Sequence, residues 1–103
     1  MPDRGEGPPR DRLLREGAFA LGQTVMTPGV QEKVPPSEMM RALRRHAQGD
    51  WGELDKDDLT ANEEALQTGA RLLSAYRTES GTRFWIITEA DRSATTVLLP
   101  SEY

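Results

Sequence analysis

The sequence contains no cysteine, a single histidine, and only two residues each of Phe, Trp and Tyr. The lack of cysteine excludes a disulfide framework, a thiolate metal site and a cysteine nucleophile. No stretch approaches the ~20 apolar residues that a membrane-spanning helix needs, and the first residues lack the apolar core of a signal peptide. We therefore expect a cytoplasmic protein with no membrane partner.

Catalytic fingerprints are missing as well. The chain has no phosphate-binding loop, no dinucleotide-binding glycine pattern and no G-x-S-x-G motif. An acid–base pair of His46 and Asp50 is conceivable, but a histidine near the end of a helix is more typically a surface group that stabilises the helix dipole. Catalysis would need a pocket that also gathers Glu89 or Asp91. The sequence favours a protein that is not an enzyme and needs no cofactor.

The length of 103 residues is that of one domain. Residues 1–16 are rich in Pro, Gly, Arg and acids, with Leu13 and Leu14 as their only large apolar side chains besides Met1. Such a segment buries too little apolar surface to offset its ordering entropy. We predict a disordered tail over 1–16 and a single α+β domain over 17–103.

Three β-strands are predicted in the last third of the chain, over 71–77, 83–88 and 95–99. Two-residue turns at Ser80-Gly81 and Asp91-Arg92 would join them. The first turn sets a register in which Tyr76 lies opposite Trp85, and the second places Trp85 opposite Leu98.

The preceding residues predict one strand and two short helices. A strand over 18–27 is followed by Thr27-Pro28-Gly29, which suits either a type II turn or the cap of a short helix. A helix then starts near Ser37, carries an apolar stripe of Met39, Met40, Leu43 and Ala47, and stops at Gly49. A capping box of Thr60 and Glu63 starts the next helix, which Gly69 closes. The order β-α-α-β-β-β predicts an antiparallel three- or four-stranded sheet with two short helices packed on one face.

One face of this sheet is expected to lack a cover from the helices. The predicted registers put Tyr76, Trp85 and Leu98 on that face, and they put Phe84 and Ile86 on the face that the helices cover. Exposed aromatic side chains are typical of protein contact surfaces. We interpret Tyr76, Trp85 and Leu98 as a protein-binding face, which could equally hold a second copy in a homodimer or be covered by Phe19 and Leu21.

Charge is distributed unevenly although the net charge is only −4. The helix over 38–47 is basic, and its Arg41, Arg44 and Arg45 could contact nucleic-acid phosphates. Residues 50–64 carry seven acids and one lysine. Helix capping and solvation explain these acids, while a metal site lacks the EF-hand spacing. The acidic loop is a second candidate protein-binding segment, formed by Asp50, Trp51, Glu53, Asp55, Asp57 and Asp58.

Several stretches resemble a family of small bacterial proteins of unassigned function that occur on plasmids, integrative elements and phages. The matching stretches cover roughly residues 20–103 and are Leu21-Gly22-Gln23, Thr27-Pro28-Gly29, His46, Gly49-Asp50-Trp51-Gly52, Ala61-Asn62-Glu63-Glu64-Ala65-Leu66, Leu72-Leu73-Ser74-Ala75-Tyr76, the run over 84–96, Leu98-Leu99-Pro100 and Tyr103.

This resemblance implies an accessory protein of a mobile element that binds a protein of the host or of the element. Anti-CRISPR and anti-restriction inhibitors are examples of such proteins, and some present acids where phosphates would lie. Binding of nucleic acid through the basic helix over 38–47 is the alternative.

Overall fold

The computed structural model of the protein describes residues 18–103, so the predicted tail over 1–16 lies outside the described residues. The described part contains four strands, three α-helices and a final 3₁₀ turn. In chain order they are β1 (Gln23–Met26), α1 (Pro28–Lys33), α2 (Pro36–Ala47), α3 (Lys56–Thr68), β2 (Leu72–Arg77), β3 (Arg83–Thr88), β4 (Ala94–Leu98) and the 3₁₀ turn Pro100–Glu102. The predicted α+β class is confirmed.

The four strands form one sheet in the order β1-β4-β3-β2. β2 pairs antiparallel with β3, and β3 pairs antiparallel with β4, as expected. β1, however, runs parallel to β4, so the sheet is mixed rather than purely antiparallel. A parallel neighbour needs a long crossover, and the helices and two strands between β1 and β4 supply it.

The register of β2 against β3 differs by one residue from the prediction. Tyr76 lies opposite Phe84, and Ala75 lies opposite Trp85. The connection is a five-residue loop over 78–82, in which the Thr78 amide donates to the Thr82 carbonyl at 2.8 Å. A slip of one residue moves every side chain of a strand to the other face. Tyr76 therefore shares a face with Phe84, while the predicted pairing of Trp85 with Leu98 is confirmed.

Thr27-Pro28-Gly29 forms the cap and first turn of a short helix, which was one of the two predicted alternatives, rather than a type II turn. The Thr27 hydroxyl accepts a hydrogen bond from the Val30 amide, and Pro28 occupies the first turn of α1, where its missing N–H costs nothing. Glu102 of the 3₁₀ turn also accepts hydrogen bonds from Thr27 Oγ1 and from the Gly29 amide. The end of the chain thus fixes the junction between β1 and α1.

The predicted starts of the next two helices need correction. The cap residue of α2 is Pro35, and Ser37 lies inside the helix. Asp55 caps α3 by accepting from the Asp58 amide at 2.9 Å, so α3 begins one turn before the predicted capping box at Thr60. The predicted end of α3 at Gly69 is confirmed, because Gly69 adopts the left-handed conformation with φ of 82°.

The core lies between α1, α2 and one face of the sheet. Its buried side chains include Val30, Leu43, Tyr76, Phe84 and Ile86. A second cluster joins α3 to β2 through Trp51, Ala65 and Leu72, with partly buried Phe19, Leu54, Leu59 and Leu66 around it. No helix within residues 18–103 is long and apolar enough to cross a membrane.

The outer edge of β2 is closed by other parts of the chain. Ala75 donates to the Trp51 carbonyl and accepts from the Glu53 amide, at 3.1 and 2.7 Å. The side chain of Asn62 pairs with both backbone groups of Leu73 in the manner of a neighbouring strand. Closure of this edge leaves β1 as the edge of the sheet toward which a further strand could add.

Candidate protein-binding surface

Tyr76 lies on the face of the sheet that the helices cover and is only 3% exposed. Its hydroxyl donates to the Asp50 carbonyl at 2.6 Å, and the guanidinium carbon of Arg45 lies 4.9 Å from the ring centroid. Burial raises the pKa of Tyr76 to about 12. The prediction that Tyr76 and Trp85 form one surface is therefore wrong, because the shifted register places them on opposite faces.

Trp85 and Leu98 remain neighbours on the opposite face, where Trp85 is half-buried and Leu98 is buried. The ring of Tyr103 packs edge-on against Trp85 at 5.6 Å, and Arg71 donates to the Tyr103 hydroxyl at 2.9 Å. A depression of about 290 Å³ is lined by Trp85, Tyr103 and Arg71 together with Leu73 and Ile87. The parts of Arg71 and Tyr103 in this depression were not predicted from the sequence.

Trp51 is buried within the second cluster and is 3% exposed. Its indole N–H donates to Glu63 at 2.8 Å, and its ring packs against Phe19 and His46 at centroid distances of 6.0 and 5.6 Å. The structure thus places Trp51 inside the fold, where it is not accessible to a partner as part of the predicted protein-binding segment.

The acids after α2 are dispersed into separate local interactions. Asp50 forms a bidentate ion pair with Arg45 at 2.7 and 3.1 Å, and this hydrogen bonding holds the pKa of Asp50 below its usual value. Glu53 pairs with Arg77 at 3.3 Å. Asp55 caps α3, as described above. Each of these acids has a structural partner in the surrounding chain.

Asp57 and Asp58 lie exposed in the first turn of α3, where the helix dipole favours negative charge. Within residues 18–103, no cluster of three or more His, Asp or Glu is placed to hold a metal ion. The three candidate arginines of α2 are exposed, but Arg45 is held by Asp50, and Arg44 faces the groove described below. Arg41 is the third.

His46 is fully buried, contrary to the surface position expected for it. Its Nε2 lies 2.9 Å from Thr88 Oγ1, which lies 2.7 Å from Thr95 Oγ1. Thr95 donates to the Leu21 carbonyl at 2.6 Å, so Thr88 must donate to Thr95, and His46 must carry its proton on Nε2. Nδ1 then accepts from the Ser74 hydroxyl.

This hydrogen-bonded chain ties α2 to the sheet with a neutral imidazole, since burial lowers the pKa of His46 to about 4. The acid–base pair of His46 and Asp50 considered from the sequence is not formed, because Asp50 binds Arg45 instead. Glu89 and Asp91 are exposed near the turn between β3 and β4, away from this buried histidine. The four groups do not meet in one pocket.

The edge strand β1 is exposed along its whole length. Gln23 and Thr27 donate to carbonyls of β4 or of the residue before it, so the alternation of a strand directs the backbone groups of Thr24 and Met26 outward. Gln31 donates to the Met26 carbonyl at 3.3 Å. No other described residue pairs with the outward groups, which leaves the Thr24 amide, the Thr24 carbonyl and the Met26 amide facing away from the sheet.

An apolar groove of about 400 Å³ runs between this edge and α2, and we call it the β1 groove. Its lining includes Leu21, Thr24, Met26, Met40, Leu43 and Arg44. Three of the four large apolar side chains that are most exposed in the described chain lie at this edge: Val25 at 42%, Met26 at 39% and Met40 at 52%. Exposed apolar groups beside an unpaired strand edge are typical of a docking surface.

Met40 marks the difference between the predicted and observed faces of α2. Met39 and Leu43 are buried as expected, while Met40 lies at the rim of the β1 groove rather than in the core. The sequence held a signal for this position, because two adjacent methionines cannot both occupy one narrow helical stripe. The groove itself depends on the parallel placement of β1, which local patterns do not reveal.

Comparison of the chain with protein-family models, with curated proteins and with solved structures finds no match. The resemblance to mobile-element proteins consequently stays a prediction.

Proposed function

We propose that this chain is a non-enzymatic, cytoplasmic accessory protein of a mobile element that acts by binding a protein partner at the β1 groove. The observation that carries the proposal is the coincidence of three features. They are a strand edge whose Thr24 groups have no partner among residues 18–103, an apolar groove, and the exposed Val25, Met26 and Met40. Inhibition of a host defence system, of the anti-CRISPR or anti-restriction type, is the role that the resemblance to mobile-element proteins supports.

The size and lining of the β1 groove favour a protein segment as its occupant. Leucine, methionine and threonine line most of the groove, and such surfaces bind apolar side chains of a partner. Methionine adapts its shape to irregular partners, which is why it is common at such surfaces. The Trp85–Tyr103 depression, by contrast, is smaller, at about 290 Å³, and lies beside β2, whose outer edge is closed by residues 51–53 and Asn62.

Replacement of the exposed Met40 side chain by a carboxylate tests this function. The tagged full chain is used to capture proteins from a host lysate, with and without nuclease, and is compared with Met40→Glu. We expect one dominant protein that survives nuclease and is lost with Met40→Glu, because a buried carboxylate would replace an apolar contact. Gln67→Glu, an exposed position on α3, adds the same charge elsewhere and should capture as well as the original chain.

Binding of nucleic acid through α2 is the second candidate function. It is supported by the exposure of Arg41 and Arg44 on one helix, and weakened because Arg45 is already paired with Asp50. In that case recovery would vanish with nuclease and would decrease in Arg41→Ala, with a steep dependence on salt. Capture that is nuclease-resistant but equal for Met40→Glu and Gln67→Glu would contradict the β1 groove as the binding site.

A further inference from the structure

We infer that the partner adds an extended strand to β1, with apolar side chains at alternate positions and an acidic residue beside Arg44. This inference rests on the proposed function and specifies how the β1 groove is filled. It concerns backbone pairing, so it can fail while the groove remains the binding site.

The backbone of β1 offers hydrogen bonds that only an extended segment can use together. The Thr24 amide and carbonyl and the Met26 amide point away from β4, spaced as in a strand. The Met26 carbonyl is already bonded by Gln31. An added strand would therefore pair around Thr24, where both groups of one residue are offered, and would extend as far as Met26.

The position of the β1 groove on one face of the sheet requires apolar side chains at every second position of the added strand. Thr24 lies opposite Thr95 and Met26 opposite Val97, both on the face that the helices cover. A strand next to β1 continues the same pleat, so every second side chain would enter the β1 groove beside Met40 and Leu43. The intervening side chains would lie on the other face with Val25.

Charge and the spacing of apolar residues distinguish the segments that could occupy the β1 groove. Arg44 is the one charged side chain among the described residues that line the groove, which favours a carboxylate in the partner. A second copy pairing through its own β1 would bring Gln23-Thr24-Val25-Met26, which contains no acid. Residues 1–17 of the chain do contain four acids, but their two leucines, Leu13 and Leu14, are adjacent, so they do not alternate as the groove requires. A separate acidic and apolar segment matches the groove better than either.

The test uses the full chain to select from a displayed library of random peptides of about 12 residues, which is long enough to contain a whole strand. The enriched peptides are expected to alternate apolar residues and to contain Asp or Glu. Their affinities are then measured by fluorescence anisotropy for the original chain and its variants. Peptides without alternation, peptides with helical spacing of apolar residues, or a lack of any enriched peptide would overturn the inference.

Two matched pairs of variants separate backbone pairing from side-chain contact. Thr24→Pro removes the outward amide at an edge position where proline is tolerated, and should weaken binding at least about tenfold. Thr24→Val keeps that amide and should bind within about twofold of the original chain. Arg44→Glu should weaken binding by about tenfold, and Arg41→Glu, on the same helix outside the groove, much less.

If Thr24→Pro does not fold, modified peptides provide a second test of backbone pairing. N-methylation of alternate peptide amides blocks strand pairing without a change in the protein, and one of the two methylation registers should abolish binding. Equal binding by Thr24→Pro and by both methylated peptides would overturn strand addition. If Met40→Glu still loses its partner in that case, the proposed function stands and only this inference fails.

A second copy of the chain and residues 1–17 are the two other possible occupants of the groove, and each would give a distinct experimental result. A dimer in sedimentation that Thr24→Pro converts to monomer would show a second copy at the edge and overturn the inference. Movement of the Met26 and Met40 methyl resonances in a Leu13→Ser, Leu14→Ser chain without added peptide would show that residues 1–17 fill the groove, which overturns it as well. Unchanged resonances and a monomer support it.

Discussion

At the scale of single residues, His46 couples protonation to the stability of the fold. Its two ring nitrogens are hydrogen-bonded to Ser74 and Thr88. Protonation of Nδ1 would remove the lone pair that accepts from the Ser74 hydroxyl, so this hydrogen bond would have to reverse its direction. Aromatic rings of Phe19 and Trp51 enclose the imidazole at 5.2 and 5.6 Å. A charged imidazolium would therefore lose its hydration, and its hydrogen-bond partners in the described part of the chain are hydroxyls rather than carboxylates.

We expect the free energy of unfolding to fall as the pH drops from about 6.5 to about 4. The folded pKa of His46 is lowered to about 4 while the unfolded chain keeps the ordinary value of 6.5, so the unfolded state binds the proton first. The loss across this window is about 3 kcal/mol. Urea unfolding followed by circular dichroism from pH 7 downward measures it.

His46→Gln is the matched variant for this prediction, since it keeps a polar side chain without a titrating group. It should be less stable at pH 7 and should lack most of the pH dependence between 6.5 and 4. Asp50, whose pKa is lowered by the hydrogen bond from Arg45, contributes its own acid loss equally to both proteins. An identical pH slope in the two proteins would show that His46 is not the titrating group.

At the scale of elements, the two edges of the sheet are treated differently by the chain. The edge at β2 is sealed by residues 51–53 and by Asn62, whose amide both donates to and accepts from Leu73. Among residues 18–103, the outward groups of β1 have one partner, the Gln31 side chain at the Met26 carbonyl. Sealing one edge and leaving the other open directs any strand addition to β1.

Asn62→Ala should open the sealed edge locally. It leaves the Leu73 amide and carbonyl without their partner, at a cost of about 1–3 kcal/mol. Hydrogen exchange at the Leu73 amide should accelerate strongly, while exchange at central β3 amides follows only the global loss of stability. Glu64→Ala, an exposed neighbour on α3, is the control and should leave Leu73 exchange unchanged. Slow Leu73 exchange in Asn62→Ala would contradict the role given to this side chain.

At the scale of the whole molecule, the sequence predicted what local patterns determine. Alternation located β2, β3 and β4, and Gly69 marked the end of α3, because these signals act within a few residues. The predicted register of Tyr76 was wrong because the loop over 78–82 pairs Arg77 with Arg83, which places Tyr76 opposite Phe84, one residue away from the predicted Trp85. The start of α3 was predicted about one turn too late, because Asp55 and Thr60 are both residue types that cap helices and the observed cap is Asp55.

The candidate site was less accessible from sequence than the fold. Trp85 and Leu98 were placed correctly on one face, but Tyr76 and Trp51 are buried by contacts with residues far along the chain. The β1 groove arises where β1 returns beside β4, a pairing across about 70 residues that no local pattern encodes. Its chemistry is readable only after the topology is known.

The central claim is that a protein partner occupies the β1 groove, and site-specific photo-crosslinking in living host cells tests it most directly. A photoreactive amino acid replaces Met40 in one chain and Gln67, on the exposed face of α3, in another. We predict a discrete crosslinked species of one partner from position 40 and none from position 67. Crosslinking from position 67 alone, or from neither position, would contradict the assignment of the β1 groove as the binding site.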